Sequence, residues 1–109
     1  MNLKTKELYR QKTEILKALA HPTRLAIIDI LTNSEKTVEE IRKILGEKQS
    51  NISKHLSVLK RSGIVDDRKV GLHRFYYLKY KCVSNFSFCV NETLKYQLKE
   101  KKKFAKYLL

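Results

Sequence analysis

Thr37-Val38-Glu39-Glu40-Ile41-Arg42-Lys43-Ile44-Leu45-Gly46-Glu47-Lys48-Gln49-Ser50-Asn51-Ile52-Ser53-Lys54-His55-Leu56-Ser57-Val58-Leu59-Lys60-Arg61-Ser62-Gly63 reads as two short helices with almost nothing between them. Thr37 and Glu40 form a capping-box pair: the threonine hydroxyl can accept the Glu40 N–H while the carboxylate reaches back to the Thr37 amide. Val38, Ile41, Ile44 and Leu45 give this helix its apolar face, and Gly46 is a natural left-handed stop. Only Glu47-Lys48 precedes the next start, near Gln49-Ser50. From there Ile52, Leu56 and Leu59 recur at i, i+4 and i+7 until Gly63. Helices joined by so tight a turn make a helix-turn-helix.

Upstream, Leu8, Ile15, Leu16 and Leu19 predict an amphipathic helix over 3–19. Pro22 then opens a second helix over 22–33, carrying Leu25, Ile28 and Leu31 on its buried stripe and closing at Asn33-Ser34. Downstream, Ile64-Val65 and Phe75-Tyr76-Tyr77-Leu78 are rich in strand formers, with Gly71 midway, which predicts a hairpin around a basic tip. Helical spacing returns over 86–108, where Val90, Leu94 and Leu98 lie four apart and Phe104 and Leu108 extend the stripe. The expected fold is mainly α with a β-hairpin wing: a winged helix-turn-helix of order α-α-α-α-β-β-α, expected to form one domain over 1–109.

Composition narrows what such a domain does. The chain has 109 residues, with 24 Lys+Arg against 11 Asp+Glu, a net charge of +13. A field of that sign attracts polyanions, although solubility alone is the plainer reading. Placement favours the first. Between Lys48 and Asn91 the only acids are Asp66 and Asp67, set against nine basic residues. No apolar run approaches the roughly 20 residues of a membrane helix. The start of the chain shows no secretory signal, so a soluble, cytoplasmic protein with no membrane partner is expected. Glycine-rich phosphate loops, HExxH and nucleophile elbows are all absent, and no enzyme is expected.

On a helical wheel, with Ile52, Leu56 and Leu59 inward, Ser50, Lys54, Ser57 and Arg61 fall almost opposite, and Asn51 and Val58 lie beside them. Small hydroxyls, an amide and long cations suit a helix entering a major groove, because small residues permit close approach and polar tips read base edges. Ser50, Asn51, Lys54 and Ser57 are therefore the base-reading candidates. Gln49, His55, Lys60, Arg61, Arg68, Lys69, His73 and Arg74 are the candidates for backbone phosphate and the wing. His55 sits on the flank of the apolar stripe, where local hydrogen bonding of a half-buried imidazole competes with phosphate contact.

Three stretches together carry a family resemblance. Ile15-Leu16-Lys17-Ala18-Leu19-Ala20-His21-Pro22-Thr23-Arg24-Leu25-Ala26-Ile27-Ile28 resembles the opening signature of the ArsR/SmtB repressors. Gln49 to Lys60 is similar to that family's recognition helix, with its Gly63-Ile64-Val65 exit, and Arg68 to Leu78 is similar to its wing. The match covers roughly residues 15–80. It implies a homodimer built on the first and last helices, acting as a repressor on a pseudo-palindromic operator and released by an inducer, often a metal ion. The family's two common metal sites have no counterpart. Thr37-Val38-Glu39-Glu40-Ile41 lacks the Cys-x-Cys pair, and residues 82–98 contain no His or Asp and only Glu92 as an acid. No metal or other cofactor is expected, and the inducer is unknown. The dimer candidates are Leu8, Ile15, Phe86, Val90, Leu94 and Leu98, on stripes that a core of this size cannot all cover.

Cys82 and Cys89 are the candidate sensor residues. Phe86 and Phe88 between them suggest an apolar setting, and Lys79 and Lys81 favour thiolate. Inert packing, a disulfide or redox switch, and an incomplete thiolate metal site all remain open. The expected function is that of a sequence-specific, DNA-binding transcriptional regulator, with redox control if the cysteines serve it. The competing reading is an architectural, chromatin-like protein that coats DNA without an operator. The specificity ratio at fixed salt separates the two.

Overall fold

Asn2 opens the first helix, α1 (Leu3–Leu19), by accepting the Thr5 N–H on its side chain at 2.8 Å. His21 caps α2 (Pro22–Asn33) in the same way, its Nδ1 taking the Thr23 N–H at 3.1 Å, with Pro22 in the first turn where its missing N–H costs nothing. The computed structural model describes residues 1–107, so Leu108, placed on the last apolar stripe from sequence, lies outside the described residues.

The Thr37–Glu40 capping box is present in both directions and starts α3 (Val38–Leu45). Gly46 ends it at φ 66, the left-handed conformation that lets the chain turn at once into α4 (Gln49–Arg61). β2 (Val65–Val70) and β3 (His73–Leu78) form the hairpin around Gly71, also at positive φ. α5 (Cys82–Ala105) closes the described chain.

Two features correct the expected order. A two-residue strand, β1 (Lys36–Thr37), precedes α3 and pairs antiparallel with β3, so the wing is a three-stranded sheet of order β1-β3-β2. α5 begins at Cys82 rather than near residue 86.

The core is built from Ala18 and Leu19 of α1, Ile27, Ile28 and Leu31 of α2, Ile41 of α3, Ile52, Leu56 and Leu59 of α4, and Ile64-Val65 at the entry to the sheet. Leu25, expected inside, is only half-buried, and Ile27 takes the central place. Ile44 is 57% exposed instead of packed, because Val38, Ile41 and Leu45 already make the contact and Ile44 projects beside it. α5 is tied to α2 where Ser87 donates its hydroxyl to Asp29, and Ser87 is its only buried residue among those described.

Candidate nucleic-acid interface

α4 turns Ile52, Leu56 and Leu59 into the core and leaves Gln49, Ser50, Lys54, Ser57, Lys60 and Arg61 exposed. Asn51 is half-buried, its amide donating to Glu47 Oε2 at 3.2 Å. Lys48 at the N-cap makes no side-chain cap bond, and its carbonyl takes the Asn51 and Ile52 N–H groups, so among the described residues the Gln49 and Ser50 N–H groups are the first-turn donors left for an anion.

His55 departs from the expected phosphate set. It is 8% exposed, its Nδ1 accepts from Arg24 Nε at 3.2 Å, and its ring lies 4.3 Å from that of His21. Burial first, then His21, Arg24 and Lys54, push its pKa below the ordinary histidine value. Arg24 also donates to the Ala18 carbonyl at 3.0 Å, so one guanidinium joins the end of α1, α2 and the inner side of α4. His55 belongs to this junction and not to the surface.

The wing presents two faces. Pairing of Val65 with Leu78, Asp67 with Tyr76 and Lys69 with Arg74 puts these residues on one face, the one carrying Val65 into the core. Arg68 and Phe75 pair on the other face, as do Val70 and His73. The tip, Gly71-Leu72, stands in solvent. Three of the expected phosphate cations are already ion-paired. Lys60 meets Asp67 at 2.6 Å, Arg74 donates to the same carboxylate, and Arg68 Nε reaches Glu35 at 3.0 Å. Lys60 and then Arg74 hold the Asp67 carboxyl below its usual range, and Asp67 in turn raises both cations. Sequence reading missed these partners because Glu35 lies 33 residues from Arg68, and Asp67, seven residues from Arg74, meets it and Lys60 only once the hairpin folds against α4.

Cys82 and Cys89 are free and exposed, and Phe86 and Phe88 beside them are exposed as well, so this protomer supplies no apolar enclosure. Both thiols ride one continuous helix, which separates them by about 10–11 Å along its axis. A disulfide needs Cα atoms about 4.4–6.8 Å apart, so an intrachain bond is excluded. Among the described residues no group of three or more His, Cys, Asp or Glu side chains clusters to hold a metal ion. No described helix is long and apolar enough to cross a membrane.

A helix-turn-helix followed by a stranded wing defines the winged helix-turn-helix class, a DNA-binding architecture. A helix-turn-helix domain model matches residues 19–68. An HTH-type transcriptional regulator of Methanocaldococcus jannaschii is 44% identical over 73 residues, 66% of this chain and 82% of that protein. The biofilm growth-associated repressor of Agrobacterium fabrum is 41% identical over 64 residues, 59% of this chain and 55% of that one. The solution structure of a homodimeric winged helix-turn-helix DNA-binding domain of Mycobacterium bovis, a possible ArsR-family regulator, superimposes with a TM-score of 0.80 at 28% identity, covering 92% of this chain and 93% of its own. The chain belongs to the ArsR/SmtB family of transcriptional regulators.

Proposed function

We propose that this protein binds a pseudo-palindromic operator as a homodimer and represses transcription from it. The observation that carries the proposal is the exposed face of α4, with Ser50, Lys54, Ser57 and Arg61 opposite the core residues Ile52, Leu56 and Leu59 and beside a basic wing. Ser50, Asn51, Lys54 and Ser57 are assigned to base edges. Gln49, Lys60, Arg61, Arg68, Lys69, His73 and Arg74 are assigned to phosphate and the wing contact. The whole chain is taken to act as one DNA-binding unit in the cytoplasm.

Dimerisation through α1 and α5 is supported by what those helices leave open. Leu8 is 50%, Ile15 47%, Leu94 50% and Leu98 55% exposed, with Phe86 and Val90 on the same helix also uncovered. A second copy would cover this surface and place two recognition helices on successive turns of one duplex face. The Mycobacterium bovis domain is homodimeric, and the Agrobacterium relative is a repressor. A disulfide switch, if Cys82 and Cys89 serve one, acts between protomers, since the pair cannot close within one chain. Double Cys→Ser substitution should then abolish any effect of oxidant on operator affinity, and identical oxidant responses in variant and wild type would remove the cysteines from the scheme.

Selection of bound duplexes from a random library with the purified protein tests the proposal. An enriched inverted repeat with half-sites about one helical turn apart is expected. Uniform recovery of all sequences would favour the architectural reading.

A further inference from the structure

Asp67 is a carboxylate whose side chain is only 3% exposed, on the sheet face turned toward α4. Burying an ionised carboxylate is costly unless it is paired and hydrogen-bonded. Its partners come from two different elements: Lys60 Nζ of α4 meets one oxygen at 2.6 Å, and Arg74 of β3 donates to the other. Both cations keep about half of their own side-chain surface in solvent, 48% for Lys60 and 54% for Arg74. Each therefore has donors left for a second anion while held by the first.

We propose that Asp67 is a positioning residue that sets sequence specificity: by gripping Lys60 and Arg74 together, it fixes the recognition helix against the wing. Phosphates held by these cations then determine the depth and register at which Ser50, Asn51, Lys54 and Ser57 meet base edges. The inference rests on the DNA-binding proposal above. Other roles for Asp67 leave different signatures. A carboxylate that merely repels phosphate would, on removal, strengthen binding to every duplex. One that merely stabilises the fold would, on removal, weaken binding to every duplex alike. A positioning carboxylate changes the ratio.

The test compares a duplex enriched from a random library by the wild-type protein with a shuffled duplex of the same composition, across a salt series. Asp67→Asn keeps the shape and removes the charge. It should weaken the enriched duplex about ten-fold while the shuffled duplex is bound as well or better. The Lys60→Gln/Arg74→Gln protein should show the same loss of ratio, and adding Asp67→Asn to it should lower the ratio no further. Lys60→Gln alone, on an exposed side chain, should lower the ratio too, which keeps the inference open to test if Asp67→Asn does not fold. Parallel shifts on both duplexes, or an unchanged ratio in Lys60→Gln, would overturn the inference and leave DNA binding intact. Failure of the wild-type protein to enrich any duplex would overturn both.

Discussion

Arg24 Nε donates to His55 Nδ1 at 3.2 Å, tying α2 to the buried side of the recognition helix. The bond requires a neutral imidazole, because a protonated Nδ1 would confront the guanidinium with a second donor. Burial and the nearby His21, Arg24 and Lys54 depress the His55 pKa, with only Glu47 acting the other way. The folded state therefore binds that proton less readily than the unfolded chain. Stability from this site is fully present above the ordinary histidine value of about 6.5 and is lost as pH falls through the depressed folded value. The thermal midpoint should drop on acidification through this window. His55→Asn, which keeps an acceptor toward Arg24, should flatten the dependence. An equal slope in the variant would place the titration elsewhere.

The start of α3 depends on one hydroxyl. Thr37 Oγ1 accepts the Glu40 N–H at 3.2 Å, and the Glu40 carboxylate accepts the Thr37 N–H at 3.1 Å. Thr37→Ala should cost about 1 kcal/mol in stability. Urea titration should show a lower midpoint with an unchanged slope. A midpoint within error of wild type would mean that the box contributes nothing net.

Much of this architecture was legible because its determinants are local. Thr37 and Glu40, the Gly46 stop, Pro22 and the Gly71 turn each act within a few residues, and the spacing of Ile52, Leu56 and Leu59 oriented the recognition face directly. What escaped has no local signature. β1 is two residues long, too short to show alternation, and exists only because β3 pairs with it. α5 starts at Cys82 behind Lys81, which makes no side-chain cap bond, so nothing marked the boundary. The links from Arg24 to His55, Glu35 to Arg68 and Asp67 to Lys60 and Arg74 are tertiary. They decide which expected DNA contacts are free, paired or buried.

The uncovered stripes on α1 and α5 give a prediction about assembly. Replacing Leu94 and Leu98, each about half exposed, with polar residues should weaken dimerisation and DNA binding together. Sedimentation equilibrium at micromolar concentration, run beside binding titrations, checks it. A wild-type monomer with full operator affinity would contradict the dimer.

Base-reading residues should separate in binding experiments from a phosphate-holding residue that lies outside the Asp67 ion pairs. Lys69 has no ion-pair partner among the described residues, so Lys69→Ala should lower affinity on all sequences and flatten the salt slope by about one unit. Lys54→Ala or Asn51→Ala should change sequence preference instead, by about 1–3 kcal/mol for each lost base contact. The reverse pattern would mean that the helix and wing assignments are exchanged.

Recognition of a specific DNA sequence is the central claim, and one titration tests it most directly. Fluorescence anisotropy at fixed physiological salt should give an affinity for the selected inverted repeat at least about a thousand-fold above that for its shuffled counterpart. Equal affinities on the two duplexes, both falling steeply with salt, would show that the +13 charge alone drives binding and that the exposed face of α4 reads no sequence.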